Sequence, residues 1–208
     1  KGKARELQQT KGWMPDAGSI IFTRQMEALG LGHAVWCARK LIGDEPFAVI
    51  LADDLIMADT PCLKQMVDAY ADTPGNVAAV IEVPKDQVSS YGILDIESEA
   101  GNVVKARGLV EKPKPEDAPS NLSITGRYIL HPDIFKQLDK KQTGSGGEIQ
   151  LTDAMNAMIG DVGFYGYRFD GTRFDCGNKA GFVEANVAYA LKDAAMADDV
   201  RAALRKYV

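Results

Sequence analysis

Two adjacent carboxylates, Asp53 and Asp54, follow six consecutive apolar residues at 47–52. An uninterrupted apolar run of this length predicts a central parallel strand that is covered on both faces. Because ligands of open α/β sheets lie beyond the carboxyl ends of such strands, the two carboxylates could bind a metal ion or handle a phosphate. Aspartate after a strand is also common in turns, so the pair alone leaves both interpretations open.

Four further segments combine polar side chains with glycine or proline. They are RQMEALGLGHA at 24–34, VEKP at 110–113, GGEIQLTD at 146–153 and FDCGN at 174–178. Glycine permits a positive φ or a close approach of backbone to a flat ligand. Each segment alone also fits a surface turn or the capped start of a helix. The indication of a site therefore comes from their order and spacing along one chain.

The composition is that of a globular protein with room for one good-sized domain. The 208 residues carry a net charge of −5 with a pI near 5.1, which argues against a nucleic-acid groove. No apolar run approaches the ~20 residues of a membrane-spanning helix. Three cysteines without ligand-like spacing predict reduced thiols and a cytoplasmic protein.

The elements that would hold these segments alternate between strands and helices. Strands are expected at 19–23, 47–52, 77–83, 91–96, 103–111, 124–130 and 164–169. The strands at 91–96 and 103–111 flank a turn and predict an antiparallel excursion. The order of strand, helix and strand over 47–83 predicts a right-handed βαβ crossover. We therefore expect an α/β fold with a mostly parallel central sheet.

Helix boundaries and buried faces follow from apolar spacing. A helix is expected after Gly32, and another after an N-cap at Thr60, with an inward face of Leu63, Met66, Val67 and Tyr70. The next inward faces are predicted to be Leu151, Ala154, Met155 and Met158, and then Val183, Val187, Ala190 and Leu191. Asp198 is expected to cap the last helix.

Taken together, the segments resemble the bacterial UTP–glucose-1-phosphate uridylyltransferases, members of the sugar-nucleotidyltransferase family. The resemblance covers residues 18–192 and includes GLGHAVWCARKLIGDEPFAVILADD, LVEKPKPEDAPSNLSITGRYIL, GGEIQLTDA and FDCGNKAGF. It implies a Rossmann-like three-layer nucleotidyltransferase fold and transfer of uridylyl from UTP to α-D-glucose 1-phosphate. Thymidylyl or adenylyl transfer, and sugar-nucleotide binding without catalysis, are the alternatives. A metal-dependent glycosyltransferase would leave Lys112 unexplained.

The resemblance also implies roles for nine residues. Gln25 and Gly30 match positions that recognise uracil, and an amide can both donate to and accept from a pyrimidine. Asp53 and Asp175 match the carboxylates that bind Mg²⁺, which takes few protein ligands when phosphates supply the rest. Lys112 and Asp53 are the expected catalytic residues. The expected sugar-phosphate site consists of Gly92, Glu111, Lys112, Tyr128 and Glu148.

We expect a catalytic domain at 1–192 and a C-terminal helical extension at 193–208. The family's N-terminal glycine-rich loop, which grips the triphosphate, has no counterpart before Gly18. The domain is therefore expected to be present without its N-terminal part, and the 208 residues alone to transfer uridylyl at no appreciable rate. The resemblance further implies a homo-oligomer that binds UTP and glucose 1-phosphate.

Overall fold

The computed structural model describes residues 3–207, in which strands and helices alternate. The strands are β1 Phe47–Ile50, β2 Asp54–Met57, β3 Gly75–Glu82, β4 Gly92–Ala100, β5 Val103–Glu111, β6 Leu122–Leu130, β7 Gly163–Arg168 and β8 Thr172–Asp175. The α-helices are α1 Ala4–Trp13, α2 Leu31–Cys37, α3 Arg39–Ile42, α4 Cys62–Tyr70, α5 Ile134–Leu138, α6 Leu151–Asn156, α7 Lys179–Lys192 and α8 Ala197–Leu204.

Six strands form one mixed sheet in the order β1-β6-β3-β7-β5-β4, and β2 pairs with β8 in a separate two-stranded sheet. Among the described residues only β3 and β7 pair in parallel. The prediction of a mostly parallel sheet is therefore wrong. An apolar run reports that both faces of a strand are covered, and antiparallel β6 satisfies this as well as a parallel strand does.

The segment 47–52 is not a central strand, which corrects a second prediction. β1 pairs only with β6 within the described sheet, and its Ala48 and Ile50 are exposed. β1 and β3 do run in the same direction, because β6 is antiparallel to both and lies between them. The strands covered on both faces are β3 and β6, whose residues are almost all buried.

Helices cover both faces of the sheet, as a three-layer fold requires. Ala78 and Val80 of β3 belong to the larger core, which α2, α5 and α6 complete. Val77 and Ala79 point to the opposite face and pack with Cys62 and Met66 of α4. The α/β three-layer prediction is thus confirmed, with the correction to strand direction given above.

Local predictions fared unevenly. The β4–β5 hairpin and the buried α6 face are confirmed, and Leu151, Ala154, Met155 and Met158 are all at most 8% exposed. The predicted strand at 19–23 is absent, and Ile20, Ile21 and Phe22 are exposed. A strand needs a hydrogen-bonded neighbour, and no described strand pairs with this segment.

Three helix predictions are wrong in detail. The helix after Thr60 begins one residue later than expected, without a side-chain cap, and its Val67 is exposed. The inward residues of α7 are Gly181 and Ala185, while Val183 is exposed, because α7 approaches the Asp175 backbone through its small residues. Met196, not Asp198, precedes α8, and Asp198 instead pairs with Arg201. No helix of residues 3–207 is long and apolar enough to cross a membrane.

Candidate active site

Seven of the nine predicted site residues line one cavity of about 400 Å³. The cavity lies where β2, β4, β5, β6 and β8 meet the start of α6. The seven residues are Asp53, Gly92, Glu111, Lys112, Tyr128, Glu148 and Asp175. Three larger depressions on the described surface, of about 500, 630 and 820 Å³, contain none of the predicted residues.

Asp53 and Asp175 face a common space beside Gly177. The Cys176 N–H donates to the Asp53 carbonyl oxygen at 2.7 Å and so joins the two segments. A Cβ added to Gly177 would lie 3.1 Å from Asp175 Oδ1 and 3.2 Å from Asp53 Oδ2. The absent side chain therefore leaves open a position that two carboxylates surround.

This carboxylate pair fits a hard divalent cation. Mg²⁺ is commonly held by one or two carboxylates, while phosphates and water complete its octahedron. Within residues 3–207 no cluster of three or more His, Cys, Asp or Glu side chains suits a metal ion. The donor set therefore matches a metal that arrives with phosphate better than a closed structural site.

The carboxylate of Asp54 is hydrogen-bonded within the protein. The residue is 5% exposed, and its carboxylate accepts from the Gly126 N–H at 2.8 Å and from Arg173 Nε at 2.9 Å. Arg173 Nη1 donates to the Tyr91 hydroxyl at 3.3 Å. Burial lowers the pKa of Arg173, but the hydrogen bonds to Asp54 and Tyr91 outweigh it, so the guanidinium stays charged.

Arg173 lines the cavity and was missed at the sequence level. Its partner Asp54 lies 119 residues away in the chain, and no local pattern predicts such a pair. The available signal was its position two residues before Asp175, on the same side of a strand.

Glu111 ends β5 at the cavity, and Lys112 follows it. A Cβ on Gly92 would lie 3.1 Å from Glu111 Oε2, so the glycine leaves room for that carboxylate. Lys112 has a φ of 47°, a left-handed conformation that is uncommon outside glycine and often found at functional sites. Its N–H donates to the Tyr91 carbonyl oxygen at 2.9 Å, and its Nζ lies 3.7 Å from Glu111 Oε1.

Tyr128 and Glu148 complete the wall. Burial raises the pKa of the Tyr128 phenol, and the charges of Glu111 and Asp54 raise it further. The hydroxyl therefore stays protonated and can donate a hydrogen bond. Glu148 is exposed, and its Oε2 accepts from Gln150 Nε2 at 3.3 Å.

Gln25 and Gly30 lie outside the lining of this cavity but adjoin it. Gln25 Nε2 donates to the Gly30 carbonyl oxygen at 3.0 Å and lies 2.9 Å from His33 Nδ1. Gly30 has a φ of 100°, and a Cβ there would lie 2.8 Å from Glu148 Cβ and 2.9 Å from the Ile149 carbonyl oxygen. The protein's own backbone is thus sufficient reason for glycine at this position.

Comparison with known proteins agrees with the resemblance. The sequence model described as Nucleotidyl transferase matches residues 3–192. A UTP–glucose-1-phosphate uridylyltransferase of Staphylococcus epidermidis is 45% identical over 206 residues, 99% of this chain and 71% of the relative. One of Komagataeibacter xylinus is 51% identical over 162 residues, 78% of this chain and 57% of the relative.

A solved structure leads to the same family. The crystal structure of a UDP-glucose pyrophosphorylase complexed with UDP-glucose superimposes with a TM-score of 0.78 at 44% identity. The match covers 83% of this chain and 66% of that one. The chain thus spans part of the length of each relative.

Proposed function

The chain belongs to the nucleotidyl transferase family, and we propose that it forms the sugar-phosphate and metal side of the active site of an enzyme that transfers uridylyl from UTP to α-D-glucose 1-phosphate. The products are UDP-glucose and pyrophosphate. One observation carries the proposal. The carboxylate pair, Lys112 and the polar residues expected to bind the sugar all line the same cavity. The names of the relatives support the choice of substrates.

The reaction needs alignment and charge neutralisation more than proton transfer. An oxygen of the sugar phosphate, already anionic, attacks the α-phosphorus of UTP. The new P–O bond forms as the bond to the bridging oxygen of the β-phosphate breaks, and pyrophosphate leaves with that electron pair. No general base is required. Catalysis therefore depends on holding two anions in line and on neutralising their charge.

Three residues carry this task in the proposal. Lys112 binds the phosphate of the sugar phosphate, since it is half-exposed at the cavity rim and its ammonium can reach a ligand. Asp53 and Asp175 would hold Mg²⁺, which when bound neutralises charge on the phosphates. The facing carboxylates beside Gly177 support this assignment.

The sugar and base contacts complete the proposed site. The Glu111 carboxylate accepts hydrogen bonds from sugar hydroxyls, and Tyr128 and Glu148 line the same cavity. Gly92 keeps the space open. Uracil recognition by Gln25 and Gly30 rests on the resemblance, on the hydrogen bond from Gln25 to the Gly30 carbonyl oxygen and on the close approach of Gly30 to Glu148.

The wider organisation belongs to the same proposal. Residues 1–192 form the catalytic domain and 193–208 a helical extension, which the span of the family match supports. A homo-oligomer in the cytoplasm, acting on no nucleic acid or membrane, follows from the resemblance.

Ligand binding and product formation test this function together. We expect isothermal titration calorimetry to show UDP-glucose binding that strengthens when Mg²⁺ is added. A radiolabel assay of the same chain with an N-terminal portion restored should detect UDP-glucose from UTP in preference to the sugar nucleotides from dTTP or ATP. Equal use of dTTP and UTP would refute the uracil assignment. Binding without product would favour a sugar-nucleotide-binding protein, and absence of both would refute the proposal.

A further inference from the structure

A buried ion pair between Asp54 and Arg173, both of which line the cavity, ties the two-stranded sheet together. Asp54 lies opposite Asp175 in the β2–β8 ladder, and Arg173 lies opposite Ile56, so the pair is a diagonal contact on one face. The Asp54 side chain is 7% exposed and that of Arg173 is 13% exposed. Their 2.9 Å hydrogen bond is therefore shielded from water and salt.

Each partner of the pair also bonds to the six-stranded sheet. Asp54 accepts from the Gly126 N–H of β6, and Arg173 donates to the Tyr91 hydroxyl just before β4. The Tyr91 carbonyl oxygen in turn accepts from the Lys112 N–H at 2.9 Å. Tyr91 therefore connects the two regions, since its hydroxyl accepts from Arg173 and its backbone carbonyl oxygen accepts from Lys112.

This connection matters because β2 and β8 have only four residues each and pair with no strand of the main sheet. A two-stranded sheet is marginally stable by itself, so its position is set by contacts to the rest of the fold. Asp53 and Asp175 lie at one end of this sheet. Their distance from Lys112 therefore depends on what joins the two sheets at that end.

We propose that Arg173, held by Asp54, is a positioning residue that fixes the Asp53–Asp175 carboxylate pair relative to Lys112. This inference rests on the proposed function, because it presumes that both groups act on one phosphate-bearing substrate. Arginine suits the task, since its planar fork reaches Asp54 through Nε and Tyr91 through Nη1 at once. A lysine ammonium has the same charge but no such fork.

The test is Arg173→Lys, because this variant keeps the charge beside the carboxylates and changes only the geometry. Arg168→Lys is the matched control, since Arg168 also bridges two carboxylates, Glu82 and Glu99, but lies outside the cavity. Mn²⁺ alone, followed by electron paramagnetic resonance, probes the carboxylate pair. UDP-glucose affinity in the presence of Mn²⁺ probes its alignment with Lys112, and thermal unfolding monitors the fold.

We expect Arg173→Lys to weaken Mn²⁺ binding about 10–100-fold, the usual cost of losing a group that orients metal ligands. UDP-glucose affinity should fall as well, while Arg168→Lys leaves both affinities unchanged. Tyr91→Phe removes only the hydroxyl. It should weaken UDP-glucose binding and leave Mn²⁺ binding nearly intact, since it breaks only the link toward Lys112.

The possible results distinguish failure of this inference from failure of the proposed function on which it rests. Unchanged Mn²⁺ and UDP-glucose affinities in Arg173→Lys would overturn the positioning role, even with a functional unsubstituted protein. Should Arg173→Lys fail to fold, normal UDP-glucose binding by Tyr91→Phe would overturn it instead. Failure of the unsubstituted protein to bind Mn²⁺ and UDP-glucose would overturn the proposed function and this inference with it.

Discussion

Adjacent aspartates with opposite roles give the sharpest prediction of this structure. Asp53 is exposed and faces Asp175 across the space beside Gly177. Asp54 is buried, and both its oxygens accept hydrogen bonds from the protein. We therefore predict that Asp53→Asn removes metal binding without loss of stability, and that Asp54→Asn chiefly destabilises the fold.

The magnitudes follow from burial. Breaking a buried ion pair by removing one charge costs about 3–5 kcal/mol, because the other charge is left uncompensated. For a chain of this size each 1 kcal/mol lowers Tm by about 2–4 °C, so Asp54→Asn should lower Tm by roughly 10 °C. Asp53→Asn changes an exposed side chain, and its effect should stay within about 0.5 kcal/mol. Asp53→Asn should weaken Mn²⁺ binding more than about 100-fold. This exceeds the usual loss on substituting a residue that only orients a metal ligand.

Calorimetric unfolding and Mn²⁺ titration of the two variants provide the assay. Asp59→Asn is the control, since Asp59 is an exposed aspartate near the end of β2 and outside the cavity. An Asp53→Asn protein that binds Mn²⁺ normally would refute the metal assignment. An Asp54→Asn protein as stable as the control would refute the structural role of the buried pair.

Three further outcomes are expected. Gln25→Ala should reduce the preference for uridine over other nucleotides about tenfold, the value of one or two hydrogen bonds, with less effect on maximal rate; an unchanged nucleotide preference would contradict this. Gly92→Ala places a Cβ 3.1 Å from Glu111 Oε2 and should weaken UDP-glucose binding roughly tenfold at nearly unchanged Tm, which calorimetry can measure. Burial raises the pKa of Cys62 to about 11, so at pH 8.5 its alkylation should be slower than that of Cys37 or Cys176 by mass spectrometry. Equal alkylation rates for the three cysteines would contradict the burial of Cys62. Because the pKa of Cys62 in the folded protein is raised above 9.0, the stability that this thiol contributes is complete below pH 9 and is lost as the pH rises toward 11.

Local patterns predicted the parts of the fold that local physics determines. The β4–β5 hairpin follows from two alternating strands around a turn at Gly101, and the α6 face follows from apolar spacing. The run at 47–52 failed because apolarity does not record the direction of a strand or the number of its neighbours. The same limit explains 19–23, where an apolar segment has no described strand to pair with.

The sequence allowed individual residues of the candidate site to be predicted, but not the contacts that connect them. The resemblance supplied Asp53, Asp175, Glu111 and Lys112, which line one cavity. Arg173 could not be assigned in this way, because its contacts to Asp54 and Tyr91 join segments 119 and 82 residues apart. Such pairs arise from packing between strands, which sequence spacing does not express.

A crystal structure with UDP-glucose and Mn²⁺ bound would test the central claim most directly. Anomalous scattering would locate the metal without reference to the assigned roles. We predict one Mn²⁺ peak within coordination distance of Asp53 and Asp175, with the glucosyl group beside Glu111 and the sugar-linked phosphate beside Lys112. A metal peak elsewhere, or UDP-glucose in the depression between Asp59 and Lys192, would contradict the account.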